Sequence, residues 1–356
     1  MSGSGRFLLY GSYGYTGRLI ARLAVERGFE PVLAGRSEEA LGEQAEREGL
    51  RHVVADLDDP EGLDHALEGL PLVLHCAGPF SRTFQPMVEA CLRQGRHYLD
   101  ITGEIAVFEA AAQLDDRARE ARVMLMPGVG FDVVPTDCLA VHLQSRLPSA
   151  TRLTLAVLSG SGVSRGTALT MAEQLGKGGV VRRAGRLTAV PAGWKSRTFD
   201  FGTGPHAAVT LPFGDVSTAY YSTGIGEIET YAAAPPGLQR VIRGTGRVGW
   251  LLQSGPVRSL IERGIRRRVA GPSAGQRARG ETRIYGEVAD DDGRSVSAVL
   301  VGPEAYAFTA LTALAVLERV LAGESPPGFQ TPARAYGPDL ALGIEGVDLL
   351  PGDFTT

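Results

Sequence analysis

The sequence predicts an α/β fold, a doubly wound parallel sheet interrupted by a mixed α+β second domain. Short apolar runs alternate with helix-length amphipathic stretches up to about residue 127, and a glycine-rich turn follows the first run. Beyond Pro127 this rhythm gives way to strand-like segments with frequent Gly and Pro between them.

The elements follow in order. Phe7–Tyr10 is an apolar run stopped by Gly11, and Arg18–Arg27 carries Leu19, Ile20, Leu23 and Ala24 at helical spacing before Gly28. Further strands are expected at 31–34, 52–55, 71–76, 97–101 and 122–126, with helices at 38–48, 61–68, 84–93 and 105–121. Such strands need cover on both faces, which is the parallel, helix-flanked arrangement. In the second part, 152–158, 207–211, 283–288 and 295–301 read as strands, and 305–321 as an apolar helix that returns to the first domain. The tail from Gly323 is Pro- and Gly-rich and reads as extended.

The turn Gly11-Ser12-Tyr13-Gly14-Tyr15-Thr16-Gly17 lies between the first strand and the first helix. Glycine there lets backbone approach a pyrophosphate, and the helix N-terminus offers N–H groups and positive dipole to it. The strand–turn–helix context supports a Rossmann-type dinucleotide loop, although the glycines are three apart rather than in the common G-x-G-x-x-G pattern. The second strand ends in Ala34-Gly35-Arg36-Ser37, where NAD-binding folds carry an acid for the ribose hydroxyl. Arg36 suits a 2′-phosphate, which selects NADP(H), and Ser37 either adds a hydrogen bond or caps the next helix. Asp56 stands where such folds contact adenine or is a turn residue. Ala77, Gly78, Pro79 and Phe80 follow the fourth strand, where the central part of the cofactor passes and the nicotinamide would lie. His75 in an apolar strand reads as a core residue before an acid–base group.

Taken with Cys76-Ala77-Gly78-Pro79-Phe80, Tyr98-Leu99-Asp100-Ile101-Thr102-Gly103-Glu104 and the run Pro127 to Asp137, these motifs resemble the saccharopine dehydrogenase-like oxidoreductases, and most of all the branch with the trans-acting enoyl reductases. The resemblance is dense over 7–140 and thin beyond. It implies a Rossmann domain of residues 1–130 plus about 302–356, with a substrate or dimerisation domain of 131–301 inserted. It also implies an NADPH-dependent reductase acting on a C=C or C=N bond of a small or lipid-like substrate. A non-catalytic NADP(H)-binding sensor is the alternative.

Hydride transfer leaves little for the protein beyond positioning and one proton donor. Candidates are Asp132 and Asp137 around the Val133-Val134-Pro135 turn, and Lys195 beside Trp194. Asp100, Thr102, Glu104 and Tyr220-Tyr221 are weighed with them against structural roles. The Tyr-x-x-x-Lys dyad of short-chain dehydrogenases is absent, because Glu173 and Pro191 stand four before Lys177 and Lys195, the only lysines. Gly162-Val163-Ser164-Arg165-Gly166 fits a nucleophile-elbow pattern, yet only His206 follows it.

The bulk numbers agree with a globular enzyme. The chain has 356 residues, 44% hydrophobic, with net charge −4. Cys76, Cys91 and Cys138 form no C-x-x-C pair, so no metal site is expected, and a reducing cytoplasm fits. The N-terminal residues lack the pattern of a secretory signal, and no run has the length of a membrane span. One stretch departs from the rest: 238–279 holds ten Arg against the single acid Glu262, interleaved with Trp250, Leu251, Leu252, Leu260 and Ile261. It reads as a peripheral membrane contact or lid, or as helices packed on the second domain or in a homodimer. No nucleic-acid motif accompanies it.

Overall fold

The computed structural model describes residues 5–160 and 162–355. The strands in chain order are β1 Arg6–Tyr10, β2 Glu30–Gly35, β3 His52–Val54, β4 Leu72–His75, β5 His97–Asp100, β6 Met124–Met126, β7 Arg152–Ser159, β8 Gly179–Arg183, β9 Arg186–Val190, β10 Ser196–Asp200, β11 Pro205–Thr210, β12 Glu227–Ala233, β13 Glu281–Ala289, β14 Ser295–Pro303, β15 Gly328–Phe329 and β16 Asp348–Thr355. The helices are α1 Tyr15–Glu26, α2 Glu38–Glu48, α3 Pro60–Leu67, α4 Phe80–Gln94, α5 Ile105–Gln113, α6 Asp115–Glu120, α7 Val134–Arg146, α8 Arg165–Gln174, α9 Asp215–Thr223, α10 Pro236–Arg247, α11 Gly249–Leu252, α12 Gly255–Arg268, α13 Ala274–Arg279, α14 Ala305–Leu321, α15 Pro332–Tyr336 and α16 Asp339–Leu342.

The chain divides into two units, 1–134 with 306–335, and 135–305 with 336–356. Among its described residues the first unit holds a seven-stranded sheet in the order β15-β6-β5-β4-β1-β2-β3. Every pairing in it is parallel. Phe7, Leu8 and Leu9 on β1 and Leu72, Val73 and Leu74 on β4 are fully buried, which is why these central strands read as unbroken apolar runs. Ile20, Leu67, Met87 and Phe108 cover them from the helices. The order reverses at β1, which has β4 on one side and β2 on the other, and such a switch point is where open α/β sheets bind ligands, beyond the strands' carboxyl ends.

The second unit, among its described residues, is built on a nine-stranded mixed sheet. β7 and β12 run parallel and the other pairings are antiparallel. One part of its core stacks Phe199 on Tyr231 and Tyr285, each at 5.1 Å between ring centres.

Two sequence expectations need correction here. Residues 336–356 do not go with the first unit. Backbone pairing decides this, because β16 adds antiparallel to β14, with Leu350 opposite Val299. The expected helix over 105–121 is two helices, broken at Leu114, whose φ −94° and ψ 6° leave the helical region. Helix α14 has the expected bounds.

Candidate cofactor and catalytic site

The phosphate loop is shaped by contacts that only glycine allows. Gly11 sits at φ +78°, and a Cβ there would lie 2.8 Å from the Cβ and N of Ala77 on the neighbouring strand's loop. Its N–H donates to Ala34 O at 2.7 Å, which ties the turn to β2. A Cβ on Gly17 would run into the carbonyl oxygens of Gly11 and Ser12, so α1 can begin this close to β1 only with glycine. Gly14 is the N-cap of α1 and no side chain caps the helix. Tyr15 and Thr16 begin that helix, and Tyr15 packs edge-on against Tyr306 of α14 at 4.9 Å. Tyr13 lays its ring over Gly35, where a Cβ would be 2.5 Å from a ring carbon. Ser12 is fully buried and its Oγ has no hydrogen-bond partner.

At the end of β2 the Arg36 side chain is exposed and forms no ion pair among the described residues. Ser37 caps α2 by accepting from Ala40 N at 3.4 Å. Asp56 forms a turn, its Oδ1 accepting from Asp58 N at 3.1 Å, and it is exposed beside β3.

At the end of β4, His75 is fully buried, and desolvation lowers its pKa to about 3. Its Nε2 is 3.0 Å from Thr83 Oγ1, and that hydroxyl already donates to Ala77 O at 2.7 Å. Thr83 must therefore accept, so Nε2 carries the proton and the ring is neutral. His75 is a core residue. Burial likewise pushes the Cys76 thiol up, away from a reactive thiolate. Gly78 is exposed, Ala77 and Pro79 are half-buried, and the Phe80 ring turns inward onto His75 at 5.3 Å.

The loops after β5 and β6 form a buried polar scaffold. Asp100 accepts from Tyr98 Oη at 2.7 Å, Thr102 N at 2.9 Å and Gly128 N at 2.8 Å. Burial still raises its carboxyl to about 7, the hydrogen bonds pulling the other way. Thr102 Oγ1 accepts from Glu104 N at 3.0 Å. The Glu104 carboxylate accepts from Phe80 N at 2.8 Å and Ser81 N at 2.9 Å, so it caps α4 from another loop. Asp132 is open to solvent and packs on Gly103, where a Cβ would lie 3.1 Å from its Oδ2. Water reaches the carboxyl, yet protein crowds it at longer range, and that desolvation raises it to about 6. The preceding backbone is held by α14: Phe131 N donates to Thr309 Oγ1 at 3.2 Å.

Residues 7–126 match the family described as the saccharopine dehydrogenase NADP binding domain. Among relatives, the chain is 35% identical over 152 residues to a trans-acting enoyl reductase of Mycobacterium leprae, covering 39% of this chain and 35% of that protein. It is 24% identical over 160 residues to the saccharopine dehydrogenase-like oxidoreductase of Bos taurus, covering 39% of this chain and 37% of that one. These matches span little more than a third of each relative's length. The fold is similar to that of apo histidine-tagged saccharopine dehydrogenase (L-Glu forming) from Saccharomyces cerevisiae, with TM-score 0.66 and 12% identity, over 98% of this chain and 100% of that one.

The residues of the matched stretch fit a dinucleotide on their own geometry. The glycine cradle, the uncapped α1, the orphaned Ser12 hydroxyl and the unpaired Arg36 are each suited to an anionic dinucleotide.

The other candidates lie in the second unit. Asp137 on α7 is fully buried and accepts from Ser222 Oγ at 2.5 Å. Lys195 pairs with Glu229 at 2.6 Å and lies 4.4 Å from the Trp194 ring centre. Tyr220 stacks under the buried Arg182 guanidinium at 4.1 Å. Ser164 is the buried N-cap of α8 and accepts from Thr167 N at 3.2 Å, while His206 bonds to Thr203. A helix-capping role for Glu104 is among the structural roles the sequence offers, but its partner 24 residues away and the Thr309 brace 178 residues from Phe131 are not legible there.

Proposed function

We propose that the protein is an NADPH-dependent reductase that delivers hydride to a C=C or C=N bond of a small or lipid-like substrate. The observation that carries this reading is the exposed, unpaired Arg36 at the end of β2, one strand from the glycine loop at the sheet's switch point. On this reading the N–H groups at the start of α1 bind the pyrophosphate and Arg36 holds the 2′-phosphate through a charge-assisted fork. Ala77, Gly78 and Pro79 line the path toward the nicotinamide, which when bound supplies the hydride.

Asp132 is the proposed proton donor. Its carboxyl titrates near 6, so it is protonated below that pH and keeps a minor protonated fraction near neutrality, and it lies beside Gly103 at the same carboxyl edge of β5 and β6. It gives that proton to the atom of the double bond that does not receive hydride. Asp137 and Lys195 are the weaker candidates, since each already has a partner in the second unit. The absent Tyr–Lys dyad and the named enoyl reductase relatives support C=C or C=N chemistry over ketone reduction.

The test is single-turnover oxidation of bound NADPH against matched enone, imine and ketone panels. Turnover of enones or imines is expected. Activity on ketones alone would reject the bond assignment, and tight NADPH binding with no turnover on any panel would favour the sensor.

A further inference from the structure

The second unit carries a surface that the reductase reading does not use. Leu238 and Val241 on α10, Val248 at its C-cap, Trp250 and Leu251 on α11, and Leu260 on α12 are all exposed. Trp250 is 78%, Leu260 68% and Val241 63% exposed. Six large apolar side chains open to solvent within so short a stretch are costly in water, unlike singly scattered ones. On α10 they take one side, Leu238 and Val241 being three apart, whereas Gln239 is buried on the other. Helix α12 has no buried residue at all, yet it holds to α8 through Arg258, which bridges Glu173 at 2.6 Å and Glu262 at 3.0 Å.

The charge around this apolar edge is equally one-sided. Arg240, Arg243, Arg247, Arg263 and the run Arg266–Arg268 have no ion pair among the described residues. Packing against acids of the same chain therefore does not account for them. Beside α10 opens a cleft of about 490 Å³ lined by Lys177, Trp194, Arg243 and Arg247, with no acid in its lining. Arg243 is fixed there by donating to Gly193 O at 3.0 Å and to Ser196 Oγ.

We propose that α10–α12 is a docking surface for an anionic phospholipid membrane. Apolar side chains that project from helices flanked by unpaired arginines suit the boundary between headgroups and acyl chains. The arginines meet headgroup phosphates, and the basic cleft seats one of them. No described helix is long and apolar enough to cross a membrane, so the contact lies on the surface.

The test is co-sedimentation of the full chain with phosphatidylglycerol and phosphatidylcholine vesicles at low and high salt. Partition onto phosphatidylglycerol at low salt is expected, falling steeply when the Debye length shrinks from about 30 Å to about 3 Å. Arg263→Glu/Arg267→Glu lowers the partition coefficient by at least about tenfold, since each charge near the surface contributes about 1 kcal/mol. Trp250→Asp/Leu260→Asp lowers it as much, and all four positions are exposed, so the fold is kept. In a Trp194→Phe background, where Trp250 is the one remaining tryptophan, its emission shifts to the blue on phosphatidylglycerol only. No wild-type partition overturns the proposal. So does loss of binding in the charge variant with full retention in the apolar variant, which would mark a polyanion site. Self-association without vesicles that Trp250→Asp abolishes would assign the surface to a second copy instead.

Discussion

Arg36 and Asp132 are held very differently, and their expected behaviour follows from that. Arg36 is exposed and has no ion pair among the described residues, so changing it should act on cofactor binding and leave stability within about 0.5 kcal/mol. Asp132 is exposed beside Gly103 with its carboxyl raised by desolvation, and its proposed function needs the proton. Wild-type kcat/KM should fall as pH rises through about 6, while Asp132→Asn is lower by about a hundredfold or more and flat with pH. A variant that kept the wild-type rate and pH profile would remove Asp132 from the mechanism. Glu104 is the contrasting case, a buried carboxylate that stabilises two helix N–H groups. Glu104→Ala should cost about 1–3 kcal/mol in urea unfolding and Glu104→Gln less, since the amide oxygen still accepts. Its motif drew attention to Glu104, but its partner lies in a different loop, and no local spacing announces a cap supplied from 24 residues away.

At the scale of elements, the central strands were legible because burial on both faces leaves them uniformly apolar, as in Phe7–Tyr10 and Leu72–His75. The glycine loop was legible because backbone approach leaves no alternative residue. The hairpin β8–β9 was not, since Arg182, Arg183 and Arg186 break any apolar pattern. The Arg182 signal also misleads, because this arginine is buried and donates to backbone oxygens of Val216 and Gly185. Strand β16 was missed because Pro351 and Gly352 sit within it, tolerable because it is an edge strand that pairs only with β14, through an irregular register. Helix α14 matters to the site through Thr309. Thr309→Val removes the acceptor for Phe131 N and should lower kcat with NADPH affinity unchanged, since the loop before Asp132 loosens while the phosphate loop does not. Equal losses in both would make Thr309 a merely structural residue.

For the molecule as a whole, the unit that carries the glycine loop is discontinuous in sequence. A fragment ending at residue 134 lacks β15 and the buried face of α14, including Phe308, Leu314 and Leu317. It should not fold into a stable NADPH-binding protein, and recovery of such a fragment by limited proteolysis would refute the unit's composition. Two buried groups set opposite pH trends. His75, lowered to about 3, contributes stability present above its unfolded pKa near 6.5 and lost as pH falls through about 3. Asp100, raised to about 7, contributes stability present below about 4 and lost as pH rises through about 7. Asp100→Asn should therefore flatten the decline between about pH 4 and 7 in chemical denaturation. The central claim is that this domain selects NADPH through Arg36, and calorimetric titration of NADPH and NADH into the wild type and Arg36→Asp tests it most directly. Wild type should prefer NADPH, with the substitution costing NADPH about 1.5–3 kcal/mol and sparing NADH. Equal affinity of the wild type for the two cofactors would contradict it.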